Sequence, residues 1–161
     1  MSAVIYPGTF DPPHLGHLNI IERLVTLFDR IEVAVGYDSE KPKSLFSLQE
    51  RKDLLSALLA NYPNLSVTTF STLLIDHAKK LGCNCIVRAV CNLADYEREK
   101  TLAFANKQMS GIETLFLFPD PPFQLIRSSV IRDIASRGCS LKDFIPQSIE
   151  LDVARRLNQR S

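Results

Sequence analysis

The stretch YPGTFDPPHLGHLNII, residues 6–21, places two imidazoles, His14 and His17, where a glycine- and proline-rich turn gives way to an apolar run. At i, i+3 they share one face of a first helical turn. Backbone amides there are unpaired and the helix dipole is positive, so the position suits an anion. Each ring can donate a hydrogen bond to a phosphate oxygen, and a protonated ring adds charge. Thr9 follows the glycine that lets the backbone turn tightly. Lys41 offers an ammonium from a polar loop, and Arg88 ends an apolar strand with a planar fork that fits phosphate oxygens in pairs. Ser128 and Ser129 open a second helix start. Several anion contacts with no evident nucleophile or base point to transfer between phosphates, where positioning and electrostatics do most of the work.

Taken singly, these residues have plainer readings. A histidine after a proline turn is usually a surface or capping residue, Lys41 a solvated loop charge, and the serine pair ordinary capping. Arg98 and Glu99 could be exposed helix charges. No third ligand is placed for a metal at His14 and His17. Arg88 resists such dismissal, because a guanidinium at the end of an apolar strand needs a partner.

What could gather these groups is the alternation of two periodicities. Short apolar runs at Ala3–Tyr6, Ile31–Val35, Leu65–Phe70, Cys85–Arg88 and Thr114–Phe118 read as strands. Between them lie helical repeats: Ile21, Leu24, Val25 and Phe28; Leu54, Leu55, Leu58 and Leu59 behind a Ser47/Glu50 capping box; Leu74–Leu81 closed by Gly82; and Asp95–Met109 before Gly111. Ser128 or Ser129 should cap a helix reaching Arg137, and a last helix occupies about Ser148–Leu157. Strands alternating with helices mean βαβ units. The expected fold is α/β: a single Rossmann-like, doubly wound domain over residues 1–161, with a five-stranded parallel sheet and helices on both faces. Ligands in such sheets bind beyond the carboxyl ends of the strands where strand order reverses, which is where the residues above fall.

Composition narrows the class further. The chain has 161 residues, 45% of them hydrophobic and 23% charged, as in ordinary globular proteins. Nineteen basic against eighteen acidic residues leave +1, no electrostatic case for a nucleic-acid or membrane-surface binder. No apolar stretch approaches a membrane span, and no basic region precedes a signal-like core, so the expected location is cytoplasmic. The four cysteines lack paired zinc spacing and read as reduced, mostly buried thiols.

With these residues in view, YPGTFDPPHLGH resembles the T-x-G/H-x-G-H signature of the nucleotidyltransferase superfamily. Over essentially its whole length the chain is similar to bacterial phosphopantetheine adenylyltransferases. IYPGTFDP, LFSLQER, the arginine-ended IVR, NLADYERE, IETLFLFP and SSVIRDIASRG carry the likeness. It implies reversible adenylyl transfer from ATP to 4′-phosphopantetheine, giving dephospho-CoA and pyrophosphate, with Mg²⁺ held largely by the ATP phosphates rather than by the chain. It also implies a homo-oligomer, typically a hexamer, and coenzyme A as a candidate feedback ligand.

By the same resemblance His17, Lys41 and Arg88 are the catalytic residues, with Lys41 and Arg88 holding the acceptor phosphate and Thr9 at the junction of the substrates. Leu74, Leu102 and Asn106 would line the pantetheine channel. The ATP side would comprise Thr9, Phe10, His14, His17, Ala89, Val90, Cys91, Glu99 and the run Phe123, Gln124, Leu125, Ile126, Arg127, Ser128 and Ser129. The chain departs from the family pattern at several points. Cys91 stands where a second arginine is usual, which removes a charge-assisted bond worth about 1.5–3 kcal/mol. Arg98 replaces a common tyrosine, and Arg127 alters a serine triplet; either could restore the charge. His14 is also foreign to the family, HLGH being commoner in nicotinate mononucleotide and glycerol-phosphate relatives. Two alternatives therefore stay open: an adenylyltransferase for another phosphate acceptor such as nicotinate mononucleotide, and a non-catalytic nucleotide- or CoA-binding relative.

Overall fold

The computed structural model describes residues 2–36 and 44–158. Five strands form one parallel sheet: β1 (Ala3–Gly8), β2 (Arg30–Gly36), β3 (Leu65–Phe70), β4 (Cys85–Ala89) and β5 (Glu113–Leu117), in the order β3-β2-β1-β4-β5. The helices α1 (Leu15–Leu27), α2 (Leu48–Leu58), α3 (Leu74–Lys80) and α4 (Leu93–Ser110) connect successive strands, and α5 (Ser128–Ser136) and α6 (Gln147–Asn158) follow β5. The chain is α/β and doubly wound, as expected. Alternation along the central strands explains why. Val4, Tyr6, Val33 and Val35 pack with Ile21 and Leu24 of α1 and Leu55 of α2 on one face. Ala3, Ile5 and Ala34 pack with Ile75 and Ala78 of α3 on the other. Strands covered on both sides read as near-continuous apolar runs, which is what the sequence offers. A third cluster joins Leu45, Phe46 and Ile126 to α5 and α6 through Ile131, Ile149 and Val153.

Strand order reverses between β1 and β4, and there the sheet opens. β1 pairs with β2 along its whole length, from Ala3↔Arg30 to Gly8↔Val35. Toward β4 it pairs only through Val4↔Cys85 and Ile5↔Ile86. Beyond that level the two strands diverge, each continuing three residues to its carboxyl end. β1 thus runs past Tyr6, where the sequence reading ended it at Pro7. A proline normally stops a strand because it cannot donate to the ladder. Here Pro7 sits on the side where no β4 partner follows.

Candidate active site

Arg88 bridges the opening between the strands. Its Nη1 donates to the Pro7 carbonyl at 2.8 Å, while Nε and Nη2 each donate to one Glu99 oxygen at 2.7 Å. The partner demanded by a guanidinium at the end of an apolar strand is therefore a bidentate carboxylate from α4. Glu99, with its side chain 8% exposed, is committed to that pair. Three of the five guanidinium N–H groups are thereby used, leaving one on Nη1 and one on Nη2 for an incoming anion.

Across the opening, the turn after β1 leads into α1. Phe10 is fully buried with φ +49°, in the left-handed region that costs a bulky residue backbone strain. Its ring lies against Gly8, where a Cβ would come within 2.8 Å of it. His14 is the N-cap of α1, and the cap is reciprocal. The His17 amide donates to His14 Nδ1 and the His14 amide donates to His17 Nδ1, both at 3.2 Å. Burial holds the His14 imidazole far below its usual range, at about 3, so the ring is a neutral cap and adds no charge. The charged form considered for it from sequence is excluded by that burial.

His17, Arg88 and Thr9 line one cleft of about 400 Å³ at the carboxyl ends of β1 and β4, a volume suited to a small-molecule ligand. Four arginines, Arg88, Arg98, Arg127 and Arg132, line it with two carboxylates, Asp95 and Glu99. The excess of positive charge suits a polyphosphate. Burial pushes the Tyr6 phenol and, helped by Asp95, the Cys91 thiol upward, so both stay protonated at neutral pH. The floor is made by α5, whose N-cap is Arg127 and carries no side-chain cap bond. The sequence reading gave that cap to Ser128 or Ser129. Instead both are the first residues of the helix, and Ser128 Oγ donates to the Pro12 carbonyl at 3.1 Å. The first-turn amides of α5 therefore face the cleft without an internal acceptor.

Comparison with known proteins places the chain. The cytidylyltransferase-like family model matches residues 5–134. The phosphopantetheine adenylyltransferase of Finegoldia magna is 36% identical over 158 residues, covering 98% of this chain and 97% of that protein. The namesake from Flavobacterium psychrophilum is 40% identical over 151 residues, covering 94% and 99%. This chain belongs to the phosphopantetheine adenylyltransferase family. Among solved structures, a putative nicotinate-nucleotide adenylyltransferase from Vibrio parahaemolyticus superimposes over 100% of this chain and 98% of its own, with a TM-score of 0.71 at 16% identity. At that identity the likeness speaks for the fold alone.

In this family member most residues singled out from sequence share the cleft. Thr9, His14, His17, Arg88, Ala89, Cys91, Glu99, Phe123, Ile126, Arg127, Ser128 and Ser129 line it. Phe10 and Val90 are buried behind the wall, Gln124 turns its amide to the Pro119 carbonyl, and Leu125 is 85% exposed. Leu74, Leu102 and Asn106 do not line it; Leu74 starts α3, and Leu102 and Asn106 lie along α4. Lys41 lies outside the described residues.

Four supporting residues went unnoticed in the sequence. Arg51, 2% exposed, donates to the carbonyls of Thr9 at 2.6 Å and Gly36 at 3.0 Å, tying together the ends of β1 and β2. Asp11 accepts from the amides of Leu45 and Phe46 at 2.7 and 2.9 Å. Asn19 exchanges two bonds with Asp120, through the Asp120 carboxylate and amide, and so fixes the entry to residues 121–127. Only a buried aspartate ahead of two prolines carries any signal in the sequence; the others look like solvated helix or loop residues.

Proposed function

We propose that this chain transfers the adenylyl group of ATP to 4′-phosphopantetheine, giving dephospho-CoA and pyrophosphate, as one cytoplasmic domain spanning residues 1–161. The observation that carries this reading is the convergence of His17 and Arg88 on one arginine-rich cleft at the strand-order switch of a chain in this family. An oxygen of the acceptor phosphate attacks the α-phosphorus of ATP. The new P–O bond forms there as the α–β bridging bond breaks, and pyrophosphate leaves with the electron pair. The nucleophile is already an anion, so no base has to remove a proton from it.

The family resemblance and the cleft together assign each group a task in this reading. Arg88, preorganised by Glu99 and Pro7, holds the acceptor phosphate together with Lys41. His17 donates to a phosphoryl oxygen as charge builds on it, and Thr9 sits where the two substrates meet. The backbone at residues 10, 89–91 and 123–129 wraps the nucleotide, with Arg98 and Arg127 toward its phosphates. Leu74, Leu102 and Asn106 border the path of the pantetheine arm. Among the described residues no group of three or more His, Cys, Asp or Glu could hold a metal ion, and both Glu99 oxygens are engaged by Arg88. The site therefore fits a Mg²⁺ that arrives on the triphosphate, where it would neutralise phosphate charge.

We further propose a homo-oligomer, hexameric as the family resemblance implies. Only Glu99 is buried among the 18 residues of α4, while Leu102, Phe104 and Met109 are 46%, 69% and 57% exposed. Coenzyme A, which carries the same pantetheine arm, is proposed as a competing ligand. No helix among the described residues is long and apolar enough to cross a membrane. ATP–pyrophosphate exchange tests the main reading. Exchange dependent on 4′-phosphopantetheine is expected; dependence on nicotinate mononucleotide instead would reassign the acceptor, and none with either would leave a nucleotide-binding relative.

A further inference from the structure

Adenylyl transfer as described uses His17 and leaves His14 without a chemical task. Their geometry supplies one. An Nδ1 that accepts a hydrogen bond carries no proton, and His17 Nδ1 accepts from the His14 amide at 3.2 Å. The proton of the neutral His17 ring is therefore on Nε2, the nitrogen remote from the backbone. The His14 ring stacks on His17 with centroids 3.5 Å apart and planes 18° apart, and the Phe10 ring meets His17 edge-on at 4.8 Å. His17 is gripped on two sides.

The His14 ring is itself held. It accepts the His17 amide through Nδ1 and is 7% exposed. Gly16 leaves room for the arrangement, since a Cβ there would lie 3.2 Å from the His14 ring and 3.3 Å from the Phe123 carbonyl and push on one of them. A charged His14 would set an N–H donor against the His17 amide and open the cap, and its burial keeps it neutral.

We propose that His14 is a positioning residue for the transfer: its amide and stacked ring hold His17 as the Nε2–H tautomer, oriented to donate that hydrogen bond to the transferring phosphoryl group. The inference rests on the adenylyl-transfer reading for the identity of the reaction, whereas the tautomer it assigns can be measured without turnover.

Long-range ¹H–¹⁵N spectra of histidine-labelled protein report which ring nitrogen is protonated, and steady-state kinetics are run on the same samples. Wild type should show His17 protonated on Nε2 alone. His14→Ala keeps the backbone amide but loses the stacked ring and the acceptor that closes the turn, so the contact of that amide with His17 Nδ1 should loosen until the second tautomer appears. Its kcat should fall roughly tenfold or more with KM for ATP within about threefold, as expected when a catalytic donor loses its aim. His14→Asn still offers an oxygen to the His17 amide, so it should restore the single tautomer and most of kcat. A wild-type His17 protonated on Nδ1 overturns the proposal. So does a His14→Ala protein with unchanged tautomer and kcat, or one whose kcat stays level while KM rises. If His14→Ala fails to fold, the wild-type tautomer and the His14→Asn kinetics still decide. Wild type without adenylyl transfer would sink the functional reading and leave the tautomer assignment to stand or fall on its own spectrum.

Discussion

Arg127 lies 3.8 Å from Asp95, and Arg98 lies 4.0 Å from Glu99, on a cleft that Cys91 also lines. Two exposed guanidinium groups thus stand near the position where the family pattern would put an arginine on the backbone of residue 91. Arg127 is half-exposed, so its contact with phosphate is worth less than a buried charge-assisted bond, roughly 1 kcal/mol. Arg127→Ala should then raise KM for ATP about fivefold, with a smaller change in kcat. Cys91→Arg should move KM by less than about threefold, because the charge it would add is already present. Initial-rate measurements over ATP concentration decide; a large fall in KM for Cys91→Arg would mean that neither arginine compensates. His17 belongs to a different class of contact. Charge grows on the phosphoryl oxygens only during transfer, so His17→Ala should lower kcat by about 10²–10³ with KM for ATP nearly unchanged. Equal losses in both would make it a binding residue.

At the level of elements, the cleft depends on how α1 and α5 meet the ends of β1 and β4. Gly16, at the start of α1, is packed tightly against its surroundings. A methyl group there must displace either the stacked His14 ring or the backbone at Phe123, and neither is a flexible side-chain tip. Gly16→Ala should therefore lower stability by about 1–3 kcal/mol and turnover by more than that loss of folded protein explains. Urea midpoints and kcat on the same preparation test it; full activity with a lowered midpoint would separate the glycine from the site. The parallel sheet was legible because both of its faces are covered, so its strands are apolar runs, and the Ser47/Glu50 box was legible because capping chemistry is local. The α1 cap was only half legible. Both histidines were candidates for capping, but that they cap each other depends on their ring orientations and on a glycine small enough to pass beneath. The α5 cap was misread because Ser128 finds an acceptor at Pro12, a residue 116 positions away that no local pattern can announce. From sequence Glu99 reads as a nucleotide-side residue or an exposed helix charge; its bidentate hold on Arg88 is not legible there, because it depends on how α4 lies beside β4. Long-range polar contacts of this kind are where one sequence falls silent.

For the whole molecule, a buried histidine cap should make stability depend on pH in a defined direction. Folded His14 takes up its proton only near pH 3, whereas in the unfolded chain it does so near 6.5. Below pH 6.5 the unfolded state binds a proton that the folded state excludes, so stability falls as pH falls through that window. The slope is about 1.4 kcal/mol per pH unit, which amounts to roughly 2 kcal/mol lost between pH 6.5 and pH 5. Glu32 works in the opposite sense. It is buried with Oε2 unpartnered, and burial raises its carboxyl, so its protonated form is favoured by folding and its contribution is lost as pH rises. Wild type alone would mix these terms with those of every other carboxylate. The difference between wild type and His14→Asn isolates the imidazole, because asparagine can cap the helix and does not titrate. Urea midpoints of both proteins at pH 7 and pH 5 should diverge as the solution is acidified, with wild type losing about 2 kcal/mol more than the variant. Parallel losses would mean that His14 takes up its proton in the folded protein and that the cap opens without cost.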